Sequence, residues 1–323
     1  MEILNAERFI RQLKLAELRA ISEIARKGSI LAASASLGTS QPALTRILSG
    51  VESKFGVSLF ERLPRGVRPT LFGEVLLGRI AAIFSELRNA VDDIESIKGL
   101  YRGSISVGAM PLAAASLLPE SVNRLTTDNP GLRLEVIEGN PESLLIELRA
   151  RRIDIIVGRI PPQKRDRDPD LNWEVLYQEQ MNIITNNTHE LQKKIKLNLK
   201  DLLCESWILP PPKTAFYSQI IEMFEEVNLS IPEKHIRTLS LPFNLGLVLR
   251  SNFISVVPSS LIALGFLPLG IRPLSVSIPP TCGPVGFIRI AGVNETPAIH
   301  EFMLCTRRVA EDIKSRQTIT SFK

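Results

Sequence analysis

The sequence predicts a chain of mixed class, α followed by α/β, and three observations predict it. Between residues 15 and 55 apolar side chains recur at helical spacing, with glycines at 28 and 38 between the runs. From 71 to 98 there is no proline, and apolar residues recur every three or four positions. Beyond Gly103, short strand-like runs alternate with amphipathic ones. With 323 residues, 44% of them hydrophobic, the chain has material for two or three cores and is not a disordered one.

Leu15, Leu18, Ile21, Ile24 and Ala25 mark a first helix, closed by Gly28. Ser29 caps a second, running from Ile30 to Leu37, whose small residues (Ala32, Ala33, Ser34, Ala35) let another helix approach closely. Gly38 turns the chain, Thr39 or Ser40 caps a third helix, and Pro42 sits in its first turn. That helix runs to Phe55 on an apolar stripe of Leu44, Ile47, Leu48, Val51 and Phe55. Its other side shows Ser40, Gln41, Thr45, Arg46, Ser49 and Ser53, with no acid before Glu52. Two helices joined by a tight glycine turn, the second with such a face, predict a helix-turn-helix whose Gln and Arg side chains read base edges. The same spacing also fits a plain three-helix bundle with a solvated polar face.

The charge supports the first reading. Residues 1–70 hold eleven Lys/Arg and six Asp/Glu, while the remainder is balanced, so the whole excess of +5 lies in the first fifth of the chain. That asymmetry points to a polyanion, although charge alone fits a solvated basic surface equally well. Residues 60–70 read as two extended arms around Pro64-Arg65-Gly66, with Arg62, Arg65 and Arg68 close together. This is a wing, with Arg65 at its tip against DNA backbone or minor groove.

From Leu18 to Leu77 the sequence resembles the DNA-binding region of LysR-type transcriptional regulators. The resemblance rests on Gly28-Ser29, Ala33, Leu37, Ser40-Gln41-Pro42-Ala43-Leu44-Thr45-Arg46, Glu52, Leu59-Phe60-Glu61-Arg62, Arg65-Gly66 and Thr70-x-x-Gly73. Ile30 stands where an aromatic is common, and Pro69 where Leu is usual before Thr70; both look like packing variants.

Leu76, Ile80, Ile83, Leu87, Ala90, Ile94 and Ile97 follow a four-three spacing, a coiled-coil seam on a helix of roughly 40 Å at ~1.5 Å per residue. Phe72, Leu77, Phe84 and Val91 widen the stripe. Little chain nearby remains to cover it, so a second copy is the expected cover; packing on the chain's own C-terminal part is the alternative. The resemblance favours the dimer, extending to a tetramer.

After a hinge at 99–103, the predicted order is strand Ser104–Gly108, helix Ala113–Thr127, strand Leu132–Glu138, helix Ser143–Arg151 and strand Ile153–Gly158, a βαβαβ unit with a parallel sheet. Pro161–Asp170 reads as a crossover, and further strands and helices lead to a last helix from about Pro297 to Ile313. This order resembles the family's two-lobed effector domain, similar to periplasmic solute-binding proteins. Val107-Gly108-Ala109-Met110-Pro111, Leu117-Leu118-Pro119, Glu138-Gly139-Asn140 and Asp154-Ile155-Ile156-Val157-Gly158 sit where the family has such phrases. The run Gly108–Ala114 resembles the branch holding regulators of sugar-binding proteins and of aromatic-acid catabolism.

The resemblance implies a winged helix-turn-helix over 1–70, a linker and dimerisation helix over 71–98, and an effector domain over 104–313. It further implies lobe I at 104–160 and 270–313, lobe II at 161–269, and a tail at 314–323. A small-molecule effector, a sugar or small organic acid, is expected in the cleft against strand ends and helix N-termini, with Met110, Asn140, Arg159, Thr214 and Phe243 as candidate contacts. Relatives often carry a hydroxyl just after the first strand; Ala109 and Met110 stand there instead, which puts a carboxylate anchor in doubt. Double-stranded DNA, through Ser40, Gln41, Pro42, Thr45, Arg46, Ser49, Arg65 and Arg68, and RNA polymerase are the other expected partners.

Cys204, Cys282 and Cys305 are far apart, and with three histidines no metal site or cofactor is expected. The odd cysteine count, the absence of a signal-like N-terminus and the absence of a membrane-length apolar run lead to the expectation of a cytoplasmic protein without membrane contact. Nucleotide-binding glycine loops, a Gly-x-Ser-x-Gly elbow and a His-Glu-x-x-His motif are all missing, so no enzyme is expected. A two-lobed binding protein without DNA-binding activity and an uncharacterised enzyme are the alternatives.

Overall fold

The structure, a computed structural model, describes residues 11–64, 66–98, 103–161, 168–278 and 283–320. Chain packing divides it into two compact units: Met1–Leu100 with Leu145–Ile153, and Tyr101–Leu144 with Asp154–Lys323.

The first unit opens with α1 (Leu15–Lys27), α2 (Ile30–Ser36) and α3 (Gln41–Phe55). Each boundary has a local cause. Gly28 adopts φ 62° and closes α1; Ser29 Oγ accepts the Ala32 N–H at the start of α2; Ser40 Oγ accepts the Ala43 N–H at the start of α3. Leu18, Ile21, Ile24, Ala33, Leu44, Leu48 and Val51 bury together. Strands β1 (Phe60–Leu63) and β2 (Gly66–Pro69) pair antiparallel, and α4 (Leu71–Ile97) follows. Two glycines allow this corner to close. A Cβ on Gly66, at φ 122°, would lie 2.1 Å from the Gly28 carbonyl oxygen, which accepts the Val67 N–H at 2.8 Å. A Cβ on Gly73 would lie 2.1 Å from the Leu59 carbonyl oxygen, and the Thr70 N–H donates to that same oxygen at 2.9 Å.

The expected seam on α4 is corrected at its start. Ile80 is buried in the core of the helix-turn-helix, with Leu76, Leu77 and Phe84 packed against that core. The apolar stripe left exposed is Phe72, Val75, Ile83, Leu87, Val91 and Ile94. The head needs a fourth wall for its small core, and the first turns of α4 supply it.

The second unit contains two five-stranded sheets; of the helix Pro141–Arg149, the part from Leu145 on belongs to the first unit. The elements in chain order are β3 (Ser104–Ala109), α5 (Pro111–Ala115), α6 (Leu117–Asp128), β4 (Arg133–Glu138), α7 (Pro141–Arg149), β5 (Ile155–Arg159), β6 (Leu171–Gln178), β7 (Met181–Asn186), β8 (Leu197–Asn198), β9 (Ser206–Leu209), α8 (Ala215–Glu225), β10 (His235–Arg237), α9 (Leu241–Arg250), β11 (Phe253–Pro258), α10 (Ser259–Ala263), β12 (Ile271–Pro273), β13 (Val276–Ser277), β14 (Pro284–Ile290) and α11 (Pro297–Thr320). The first sheet has the order β4-β3-β5-β14-β6, with β3 parallel to both β4 and β5. The second has the order β10-β9-β11-β7-β12, with β9 parallel to β10 and β11. Phe287, Phe302, Leu117 and Val309 anchor the first lobe; Trp207, edge-on to Phe224, anchors the second.

Three boundaries differ from the sequence reading. The single helix over Ala113–Thr127 is two, broken at Ser116, whose backbone (φ −130°, ψ −77°) leaves the helical region while its hydroxyl bonds back to the Leu112 carbonyl. The lobes do not divide at 161 and 270: β6 pairs with β14 in the first sheet, and β12 pairs with β7 in the second. The chain therefore passes between lobes at 179–180, and returns between β12 of the second sheet and β14 of the first, because an antiparallel strand can join whichever sheet edge is open. The tail expected from 314 is helical through Thr320. The hinge residues 99–102 and most of the 161–170 crossover lie outside the described residues.

Candidate nucleic-acid interface and effector cleft

The exposed face of α3 is built by exclusion. Leu44, Leu48 and Val51 turn into the core, which leaves Ser40, Gln41, Pro42, Arg46 and Ser49 exposed. Thr45 is half-buried, and its hydroxyl donates to the Gln41 carbonyl at 2.9 Å. The side chains of Gln41 and Arg46 have no hydrogen-bond or ion-pair partner among the described residues, so their donors face solvent.

Every carboxylate between residues 11 and 70 is matched. Burial pushes Glu17 up, but the Lys54 ammonium at 2.7 Å and the Lys14 N–H outweigh it and hold its carboxyl below the usual range. The Arg26 guanidinium beside Glu23 brings that carboxyl down to about 2. Glu52 Oε1 accepts the Leu59 N–H at 2.8 Å and the Phe60 N–H at 3.4 Å, fastening α3 to the wing root. Glu61 pairs with Arg68 across the hairpin at 2.5 Å. The unmatched charge of this surface is therefore positive.

The wing cations divide. Arg65 lies outside the described residues. Arg68, expected to face nucleic acid, is held by Glu61. Arg62, which the sequence reading left off the contact set, is exposed and without a partner among the described residues. The signal for it was the pairing register: Glu61 stands opposite Arg68, while Arg62 stands opposite Val67.

In the second unit the candidate effector contacts lie at the C-terminal ends of parallel strands. Met110 follows β3, Asn140 follows β4, Arg159 ends β5, Thr214 follows β9, and Phe243 lies in the first turn of α9 after β10. They are not equally available. Met110 is 5% exposed and packs on Gly158, where a Cβ would come within 2.5 Å of its side chain; it is a wall, not an open contact. Arg159 lies over Gly283, where a Cβ would meet its Nε at 2.5 Å. Asn140 and Thr214 cap α7 and α8, accepting the Ser143 and Tyr217 N–H groups at 2.8 and 3.1 Å. Phe243 is 55% exposed. Among the described residues no cluster of His, Cys, Asp or Glu is placed to hold a metal ion, and no helix is long and apolar enough to cross a membrane.

Two family models match the chain. Residues 15–74 match the bacterial regulatory helix-turn-helix of the lysR family, and residues 98–311 match the LysR substrate binding domain. The chain belongs to the LysR family. It is a LysR-type DNA-binding transcriptional regulator with an effector-binding domain. Among curated relatives it is 29% identical to the HTH-type transcriptional regulator GalR of Pseudomonas putida, over 92% of this chain and 72% of that protein. It is 31% identical to the regulator GbpR of Rhizobium radiobacter, over 75% of this chain and 80% of that one. The fold matches a full-length OxyR variant of Pseudomonas aeruginosa with a TM-score of 0.65 at 22% identity, covering 91% of this chain and 97% of that one. It also matches full-length CbnR in complex with its target DNA, with a TM-score of 0.62 at 20% identity, covering 92% of this chain and 100% of that one.

Proposed function

We propose that this LysR regulator reads duplex DNA with the exposed face of α3 and answers to a small polar effector, a sugar or organic acid, held between the lobes of its second unit. The observation that carries the DNA reading is the acid-free face on which Gln41 and Arg46 stand unpaired. Each side chain offers two hydrogen bonds in one plane, which matches the paired edge of adenine or guanine in the major groove. Ser40, Pro42, Thr45 and Ser49 line the same face and contact adjacent bases and phosphates. On the wing, Arg65 and Arg62 meet the backbone or minor groove, with Arg68 contributing through its shared pair with Glu61.

The exposed stripe on α4 supports a homodimer, and two dimers make a tetramer. Two copies present paired α3 helices to a partly symmetric site. Effector binding shifts the population of head arrangements, and with it the bend imposed on DNA. RNA polymerase is the downstream partner of such a change. In the cleft, Arg159 is the cation for an acidic group, while Met110 closes the position where a hydroxyl would otherwise anchor it.

The test is footprinting of the full-length protein on the intergenic DNA beside its own gene, with and without sugars and small organic acids. The reading expects protection at two half-sites about one or two helical turns apart and a change of pattern with one ligand class. A uniform, sequence-independent, salt-labile coating of the DNA would contradict it.

A further inference from the structure

The chain passes between the lobes at 179–180, and there the Glu179 N–H donates to the carbonyl of Gly283, next to β14, at 3.3 Å. Glu179 is 6% exposed, and its carboxyl gathers five donors. Oε2 lies 2.6 Å from Ser260 Oγ and 3.1 Å from the Tyr177 hydroxyl. Oε1 accepts from the Gln180 N–H at 3.1 Å, the Ser260 N–H at 3.2 Å and Gln317 Nε2 at 3.3 Å. Ser260 Oγ in turn lies 3.0 Å from Ser116 Oγ, which lies 2.9 Å from the Leu112 carbonyl. Ser260 begins α10 of the second lobe, Ser116 is the break between α5 and α6 of the first, and Gln317 is on α11. One carboxyl therefore joins all three.

The hydrogens can be counted. Each serine hydroxyl donates once. With Glu179 ionised, Ser260 gives its hydrogen to the carboxylate. Ser116 must then serve either Ser260 or the Leu112 carbonyl, and one of these two contacts has no hydrogen. With Glu179 neutral, its own hydrogen goes to Ser260, that of Ser260 goes to Ser116, and that of Ser116 goes to Leu112. Only the neutral form completes the chain. None of the five donors is charged. Of the elements around the site, α10 and β7 carry no charged residue. On β6, Glu174 pairs with Arg307; on α6, Glu120 pairs with Arg124; on α11, Arg316 reaches the Ala263 carbonyl and Lys314 pairs with Glu311. The Tyr177 hydroxyl is the titratable group hydrogen-bonded to the carboxyl.

We propose that Glu179 is a proton-operated clasp between the two lobes. A proton on the carboxyl locks α10 to the α5–α6 junction through Ser260 and Ser116, and its loss releases them. Burial pushes this carboxyl above its ordinary value. A raised value in the folded state means that the native protein holds the proton more tightly than the unfolded chain does. The stability linked to the clasp is full below the ordinary carboxyl value and is lost as pH rises through the folded-state value. The clasp works in the same way whatever the cleft or α3 binds.

Hydrogen exchange of the full-length protein, compared at the two ends of a pH series from about 4.5 to about 9 and corrected for intrinsic rates, reads the clasp directly. Protection over 112–118 and 258–264 is expected to fall several-fold at the higher pH in the wild type. Glu179→Gln, whose amide donates to Ser260 at any pH, keeps high protection at both. Ser116→Ala, a small change that leaves Glu179 its own donors, gives low protection at both. Wild-type protection independent of pH, or Ser116→Ala keeping the wild-type response, would overturn the proposal. DNA is absent from the measurement, so a failed clasp leaves the operator reading standing, and the reverse.

Discussion

Glu52 joins the reading helix to the wing, and its removal has a calculable effect. Its carboxylate accepts from Leu59 at 2.8 Å and more weakly from Phe60 at 3.4 Å, and both residues are buried. A hydrogen bond to a charged acceptor contributes about 1.5–3 kcal/mol, and a buried donor left unsatisfied costs about 1–3 kcal/mol. With the Phe60 bond at its long limit, Glu52→Ala should cost about 2–4 kcal/mol within the first unit. Glu52→Gln keeps an acceptor and should cost about 1 kcal/mol. For a domain of this size about 1 kcal/mol moves Tm by roughly 4–8 °C, so the alanine variant should melt its head well below the glutamine variant. Thermal melts combined with amide exchange at Leu59 and Phe60 check this. Both variants melting like wild type, with those two amides still protected, would refute the idea that a side chain sets the angle between α3 and the wing.

Three further outcomes follow from the same structure. Gly73→Ala places a Cβ 2.1 Å from the Leu59 carbonyl oxygen, so α4 must back away from the wing root; a loss of about 1–3 kcal/mol in a urea melt is expected. Ile83→Glu puts a charge into the exposed stripe of α4 at a position outside the head core, and sedimentation should show a loss of dimer with an unchanged melting profile of the head. The Glu23–Arg26 pair, with Glu23 at about 2, contributes stability above the ordinary carboxyl value of 4.5 and loses it as pH falls towards 2. The stability gap between wild type and Arg26→Ala should therefore close over that window in acid melts.

What was legible in the sequence was whatever local chemistry decides. Gly28, Ser29, Ser40 and Pro42 set three helix boundaries, and the alternation after residue 104 led to parallel strands, because capping and periodicity act over a few residues. Features that depend on long-range partners were not legible. Ile80 fits the seam by spacing, but the small head core takes it. Arg68 looks like a free cation until Glu61 is found opposite it, and Met110 looks like a cleft contact until Gly158 leaves room for it to fold inward. The lobe boundary was misplaced because the direction of an edge strand is invisible in its own residues: β6 and β12 each complete the sheet on the other side of the assumed division. Glu52 stands among the residues that resemble the family, yet its use as an acceptor for two backbone amides depends on the hairpin being in place.

The central claim is that the polar side of α3 lies in the major groove. Dimethyl sulfate attacks guanine N7 there, and a bound protein shields it. On the operator found by footprinting, the full-length protein should protect guanines in both half-sites. Arg46→Ala should weaken binding by about 1–3 kcal/mol and reopen one guanine per half-site, with thermal stability unchanged because Arg46 has no partner among the described residues. An operator complex in which every guanine N7 stays reactive, or in which Arg46→Ala changes neither affinity nor pattern, would contradict the account.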